Sequence, residues 1–143
     1  MIFLKRIFCT LFCSFIYLNG IAQDCQLKVN VTGIKKIEGD LIIAVFDNEN
    51  DYLEKPVKAI TIKVQNGVNE VCFNALPPGK YSISVIHDLD KNGKLNTRLY
   101  GPPAEPYGFY NNVKGTFGPP AFENTSFELK EGESKSASIR LFD

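Results

Sequence analysis

Between residues 27 and 141 the apolar side chains recur at every second position in short bursts, and no stretch repeats with helical spacing. Side chains on a β-strand alternate between two faces, so this period marks strands buried on one side. Leu27, Val29 and Val31 alternate with Lys28, Asn30 and Thr32, and Ile60, Ile62 and Val64 with Thr61 and Lys63. Tyr81, Ile83 and Val85 alternate with Ser82 and Ser84, and Ala137, Ile139 and Leu141 with Ser136, Ser138 and Arg140. Leu41 to Phe46 is apolar on both faces, as a central strand is. Val71 with Phe73, and Phe127 with Leu129, add two short strands. The pattern predicts an all-β chain. It would form a single antiparallel β-sandwich, immunoglobulin-like or transthyretin-like, of about seven strands with one long loop.

Turn residues refine this expectation. Asn66-Gly67 is a two-residue hairpin signal. Tyr81 follows the corner Leu76-Pro77-Pro78-Gly79-Lys80 and resembles the tyrosine corner of sandwich domains, whose hydroxyl bonds back to the upstream backbone.

The first residues read differently. Lys5 and Arg6 precede an apolar run from Ile7 to Leu18, and Gly20 and Ala22 are small residues two apart. This is the pattern of a signal peptide over 1–22, cleaved after Ala22, too short to span a bilayer. Neither Cys25, preceded by Asp24, nor Cys13, preceded by Phe12, sits in a lipoprotein site. The expectation is a secreted or periplasmic protein, one domain over 23–143, with no membrane span after cleavage. Sixteen basic residues balance sixteen acidic ones, and no basic cluster stands out, which argues against a nucleic-acid partner. Cys25 and Cys72 remain in the mature chain, either bridged in an oxidising compartment or as two thiols.

The stretch from His87 to Asn112 has no hydrophobic period and is long for a loop inside a domain, which points to function. Asp88, Asp90, Asn92 and Asn96 stand at relative positions 1, 3, 5 and 9, with Gly93 at 6, which is the oxygen spacing of a calcium loop. Position 12 is Leu99 rather than a carboxylate, and Glu105 would have to substitute by folding back. His87, the single histidine, is placed to work with Asp88 or Glu105, or to bond to Glu105 or a backbone carbonyl. Tyr100, Tyr107, Phe109, Tyr110, Phe117 and Phe122 surround the loop, as stacking surfaces or as a second small core.

Together the motifs identify a resemblance. Phe46-Asp47, L-P-P-G-K-Y at 76–81, H-D-x-D-x-N-G-K-L-N at 87–96, G-P-P-x-E-P-Y-G-F-Y-N-N at 101–112 and G-P-P-x-F at 118–122 occur in that order. They resemble the bacterial family called domain of unknown function 2141 over nearly all of the mature chain. The resemblance implies a small exported β-sandwich and brings no established activity. His87, Asp88, Asn92, Gly93, Glu105, Tyr107, Gly108, Phe109, Asn111 and Asn112 match the family's loop pattern. Asn96 stands where that pattern has Asp, and Tyr110 where it has Ser.

The function expected from these residues is a non-enzymatic binding or structural module of the cell envelope, its loop over 87–122 stiffened by calcium. Binding would run through His87, Glu105, Tyr107, Phe109, Asn111 and Asn112, toward an envelope protein or glycan. The alternatives are a hydrolase acting through His87 with Asp88 or Glu105, and docking by an exposed sheet edge.

Overall fold

Each alternating run forms a strand, and the apolar faces meet in one core. The structure is a computed structural model that describes residues 25–143. The expected cleavage site lies outside the described residues. The strands are β1 (Leu27–Thr32), β2 (Asp40–Phe46), β3 (Lys58–Lys63), β4 (Asn69–Phe73), β5 (Gly79–Asp88), β6 (Tyr107–Phe109), β7 (Ser126–Leu129) and β8 (Lys135–Arg140). β4, β1 and β8 form one sheet in that order. β3, β2, β5 and β6 form the other, with β7 beside the first half of β5. The chain is thus all-β and sandwich-like, with eight strands among the described residues rather than seven. The additional one, β6, is three residues long and lies inside the stretch read as a loop.

Leu27, Val29, Leu41, Ile43, Ile83, Val85 and Ile139, all fully buried, fill the space between the sheets. Burying each such side chain contributes roughly 1.5–3 kcal/mol. β2 is apolar on both faces because its outer face is covered too. Ala44 and Phe46 pack there against Phe122 and Tyr52.

Two expectations about pairing change. β1 and β8 run parallel, from Leu27 opposite Lys135 to Thr32 opposite Arg140, whereas all other pairs are antiparallel. Asn66-Gly67 makes no hairpin, since β3 pairs with β2 and β4 with β1. The turn instead carries the chain from one sheet to the other. Asn69 holds it by accepting from the Gln65 amide at 2.8 Å and donating to the Gln65 carbonyl at 2.9 Å. The tyrosine-corner expectation fits the geometry, with the Tyr81 hydroxyl donating to the Pro77 carbonyl at 2.6 Å. Cys72 faces outward on β4 and is bridged to Cys25, with Cα atoms 5.5 Å apart.

β6 joins the two layers. The Tyr107 and Phe142 backbones exchange hydrogen bonds at 2.9 and 2.7 Å. Gly108 permits this approach, because a β-carbon there would lie 2.7 Å from the Arg140 carbonyl oxygen and 2.8 Å from Ile139 Cγ2. Gly108→Ala is therefore expected to cost about 1–3 kcal/mol by overpacking, measurable as a lower urea midpoint. An unchanged midpoint would show that the layers are not in contact here.

Candidate functional site

β5 ends at Asp88 and the chain returns to it as β6, so the residues between are pinned at both ends of one strand position. The His87 amide donates to the Pro106 carbonyl at 2.9 Å and closes the base. Above this the backbone winds through left-handed conformations at Lys91 and Gly93. That leaves its amides pointing inward with no strand to pair with, and buried amides must find acceptors.

Two buried carboxylates supply them. Asp88 accepts from the Asn92 amide at 3.1 Å on Oδ1 and from the Gly93 amide at 2.7 Å on Oδ2. Glu105 accepts from the Leu89 amide on Oε1 and the Asn96 amide on Oε2, both at 2.9 Å. Asp90 is exposed, and its Oδ2 accepts from the side-chain amides of Asn96 at 2.7 Å and Asn92 at 3.0 Å. Chiefly the Asn96 bond holds the Asp90 carboxyl below the usual carboxylate range. Asn92 Oδ1 accepts from the Lys94 amide at 2.8 Å. The spaced oxygens of 88–96 therefore converge as a hydrogen-bonded cage.

Asp88, Asp90 and Glu105 each offer an oxygen within 4.8 Å of the others. Leu99, at the twelfth position, is almost fully exposed. Glu105 instead folds back to the two aspartates. Such a set of carboxylate and amide oxygens suits a hard cation such as calcium. Asp40, on β2 directly opposite Asp88, was not singled out by sequence. Its Oδ1 is buried without a hydrogen-bond partner. Only the register of β2 against β5 reveals this neighbour. Gly39 lets the two chains meet, since a β-carbon there would lie 2.4 Å from the Asp88 carbonyl oxygen.

His87 is buried on the core side of β5. Its Nε2 bonds to the Glu38 carbonyl at 2.7 Å, so it carries the proton and donates, while Nδ1 is buried without a partner. Of the two bonds expected of the ring, the one to a backbone carbonyl forms and the one to Glu105 does not. The histidine ring reaches back to the 33–39 connection, and Glu105 spans the loop from Leu89 to Asn96.

The remaining candidates lie apart from the cage. Tyr107 and Phe109 are buried, with ring centroids 5.8 Å apart, and Tyr107 also packs on Phe142. Among the described residues, the large aromatic rings that face solvent are those of Tyr100 and Phe117. Asn111 and Asn112 are both left-handed, a conformation asparagine tolerates better than most residues. Asn112 Oδ1 accepts from the Arg140 amide at 2.7 Å and Nδ2 donates to the Ser138 carbonyl at 3.4 Å. Its side chain stands in for a neighbouring strand along the edge of β8. Asn111 is exposed.

Sequence reasoning missed a buried hydroxyl network. Thr125 bonds to Ser82 at 2.7 Å and to Tyr52 at 3.0 Å. Burial pushes the Tyr52 hydroxyl above its ordinary range, and the Thr125 and Ser82 bonds oppose the shift.

No helix among the described residues is long and apolar enough to cross a membrane. No curated protein and no solved structure matches the chain. Residues 29–137 match the family described as an uncharacterised protein conserved in bacteria, domain of unknown function 2141. That stretch runs from within β1 to the start of β8 and includes the whole cage, and the chain belongs to this family.

Proposed function

We propose that the protein is an exported, non-catalytic binding module of the cell envelope, with its recognition face held by a calcium-stiffened loop. The observation that carries this reading is the convergence of the Asp88, Asp90 and Glu105 carboxylates, with oxygens within 4.8 Å of one another. Among the described residues no lysine or arginine forms an ion pair with any of them. Like charges at close range repel, and a divalent ion would relieve that repulsion. The carboxylate oxygens that accept amides keep further lone pairs for it. The Asn92 and Asn96 side-chain oxygens lie in the same cage and would complete such a shell.

Export is supported by the apolar leader and by the Cys25–Cys72 bridge, since disulfides persist in oxidising compartments. Recognition is supported by exposure at the rim, where Leu99 and Tyr100 lie almost wholly in solvent. Apolar groups exposed side by side in solvent suit an envelope protein or a glycan as partner. The hydrolase alternative would need His87 aligned with a carboxylate. Here its ring is held by Glu38, while Asp88 and Glu105 hold backbone amides.

Calcium at about 10 mM is expected to raise the melting temperature by about 5–10 °C, given the millimolar to submillimolar affinity usual for extracellular calcium modules. Asp88→Ala is expected to abolish the rise. Equal melting temperatures of the parent protein in calcium and in chelator would overturn the metal part of the proposal.

A further inference from the structure

Asparagine followed by glycine occurs twice, at Asn66-Gly67 and at Asn92-Gly93. Both glycines are left-handed, with φ of +104° and +78°, and nothing lies within 4 Å of where a β-carbon on either would stand. No side chain therefore crowds the glycine nitrogen beside the asparagine. We propose that Asn66 is a self-modification site, converting to aspartyl and isoaspartyl forms with loss of ammonia, whereas the cage holds Asn92 unreactive.

The reaction needs only water. The Gly67 nitrogen gives up its proton to hydroxide and attacks Cγ of Asn66. The N–Cγ bond forms, the Cγ–Nδ2 bond breaks, and Nδ2 leaves as ammonia with a proton taken from water. Water then opens the cyclic imide at either carbonyl. Opening at the side-chain carbonyl gives an aspartyl residue and restores the chain. Opening at the main-chain carbonyl gives an isoaspartyl linkage, which routes the chain through the side chain. Asn66 meets these demands. Neither its side chain nor the Gly67 amide makes a hydrogen bond among the described residues, and both residues are exposed. Asn69 holds this turn through the Gln65 amide and the Gln65 and Gly67 carbonyls, which leaves the Gly67 nitrogen uncommitted.

At Asn92 both the nucleophile and its target are held. The Gly93 amide donates to Asp88 Oδ2 at 2.7 Å. Asn92 Oδ1 accepts from the Lys94 amide at 2.8 Å, and Nδ2 donates to Asn96 Oδ1 at 2.7 Å and Asp90 Oδ2 at 3.0 Å. Attack at Cγ would break these bonds first, so it waits for the cage to open. Exposure does not account for the contrast, since Asn92 is exposed like Asn66. At position 66 either product adds a negative charge. The isoaspartyl form also adds a main-chain carbon inside the turn that carries the chain from one sheet to the other, next to the Gly67 carbonyl that Asn69 holds.

The test is incubation of the full mature protein at mildly alkaline pH, followed by peptide mapping that separates asparaginyl, aspartyl and isoaspartyl forms at both positions. In the folded protein, conversion at Asn66 is expected to run at least about tenfold faster than at Asn92, because bonds to a carboxylate hold the cage closed. In urea the two rates are expected to converge. Asp88→Ala removes the acceptor of the Gly93 amide and is expected to raise the rate at Asn92 about tenfold, with the fold followed by circular dichroism. If that variant unfolds, Asp88→Asn, which keeps the shape and one acceptor oxygen, is expected to give a smaller rise. Equal rates at the two sites in the folded protein overturn the inference, as does an Asn66 that stays unmodified. A contrast that persists in urea belongs to the flanking residues and overturns it too, as does an unaltered rate at Asn92 in the folded Asp88 variant.

Discussion

Removing the disulfide by Cys25→Ser with Cys72→Ser is expected to destabilise the fold by about 4 kcal/mol, lowering the melting temperature by about 10–20 °C. The bridge closes a segment 47 residues long in sequence separation, and cross-linking a loop of that length removes much freedom from the unfolded chain. It also fastens the chain two residues before β1 to β4, and β1 is the middle strand of its sheet. Gln26 adds a second fastening, since its side chain bonds to the Leu76 amide at 2.9 Å and carbonyl at 2.6 Å. That second tie is why the double variant should still fold. Reductant should reproduce the effect in the parent protein and leave the double variant unchanged. Melting temperatures that agree between the two proteins would mean that the bridge contributes nothing.

Glu105→Ala is expected to cost about 3 kcal/mol. The carboxylate is buried and serves two backbone amides at 2.9 Å, and hydrogen bonds to a charged group contribute roughly 1.5–3 kcal/mol each. Half-buried Leu89 and Asn96 let water recover part of the loss. Glu105→Gln is expected to fall between the parent and the alanine variant, because the amide keeps one acceptor and turns an N–H₂ toward a donor. Chemical denaturation of the three proteins measures this. A Glu105→Ala protein as stable as the parent would show that the cage does not depend on this carboxylate.

The sandwich was legible because burial on one face imposes a period of two. Leu27-Val29-Val31 and Ala137-Ile139-Leu141 announce their strands without any tertiary knowledge. The period says which face a residue takes and nothing about its neighbour strand. For that reason the parallel pairing of β1 with β8 could not be read. Asn66-Gly67 misled because the dipeptide favours a tight reversal in either setting. Whether the reversal stays in one sheet depends on partners far away in sequence. β6 was missed because Tyr107, Gly108 and Phe109 are too few to show alternation, and Gly108 reads as a turn residue until β8 is seen beside it.

At the site, the spacing of Asp88, Asp90, Asn92 and Asn96 was visible because these oxygens lie close in sequence. The position of Glu105 was open until the loop was seen to fold back. Asp40 gave no signal, since a carboxylate at the start of a strand is ordinary. Its relevance comes only from standing opposite Asp88. Thr125 carries no sequence pattern that marks it as buried. Its burial follows from the 113–125 segment lying over Ser82 on the outer face of the sheet.

Asp88 and Glu105 hold the loop as an ordered cage through four backbone amides. Residue-resolved amide hydrogen exchange on the calcium-free protein tests it most directly. The expected result is slow exchange at Leu89, Asn92, Gly93 and Asn96, whose amides bond to these two carboxylates, with fast exchange at exposed Leu99 and Tyr100. Exchange at the four cage amides as fast as at Leu99 and Tyr100 would contradict it.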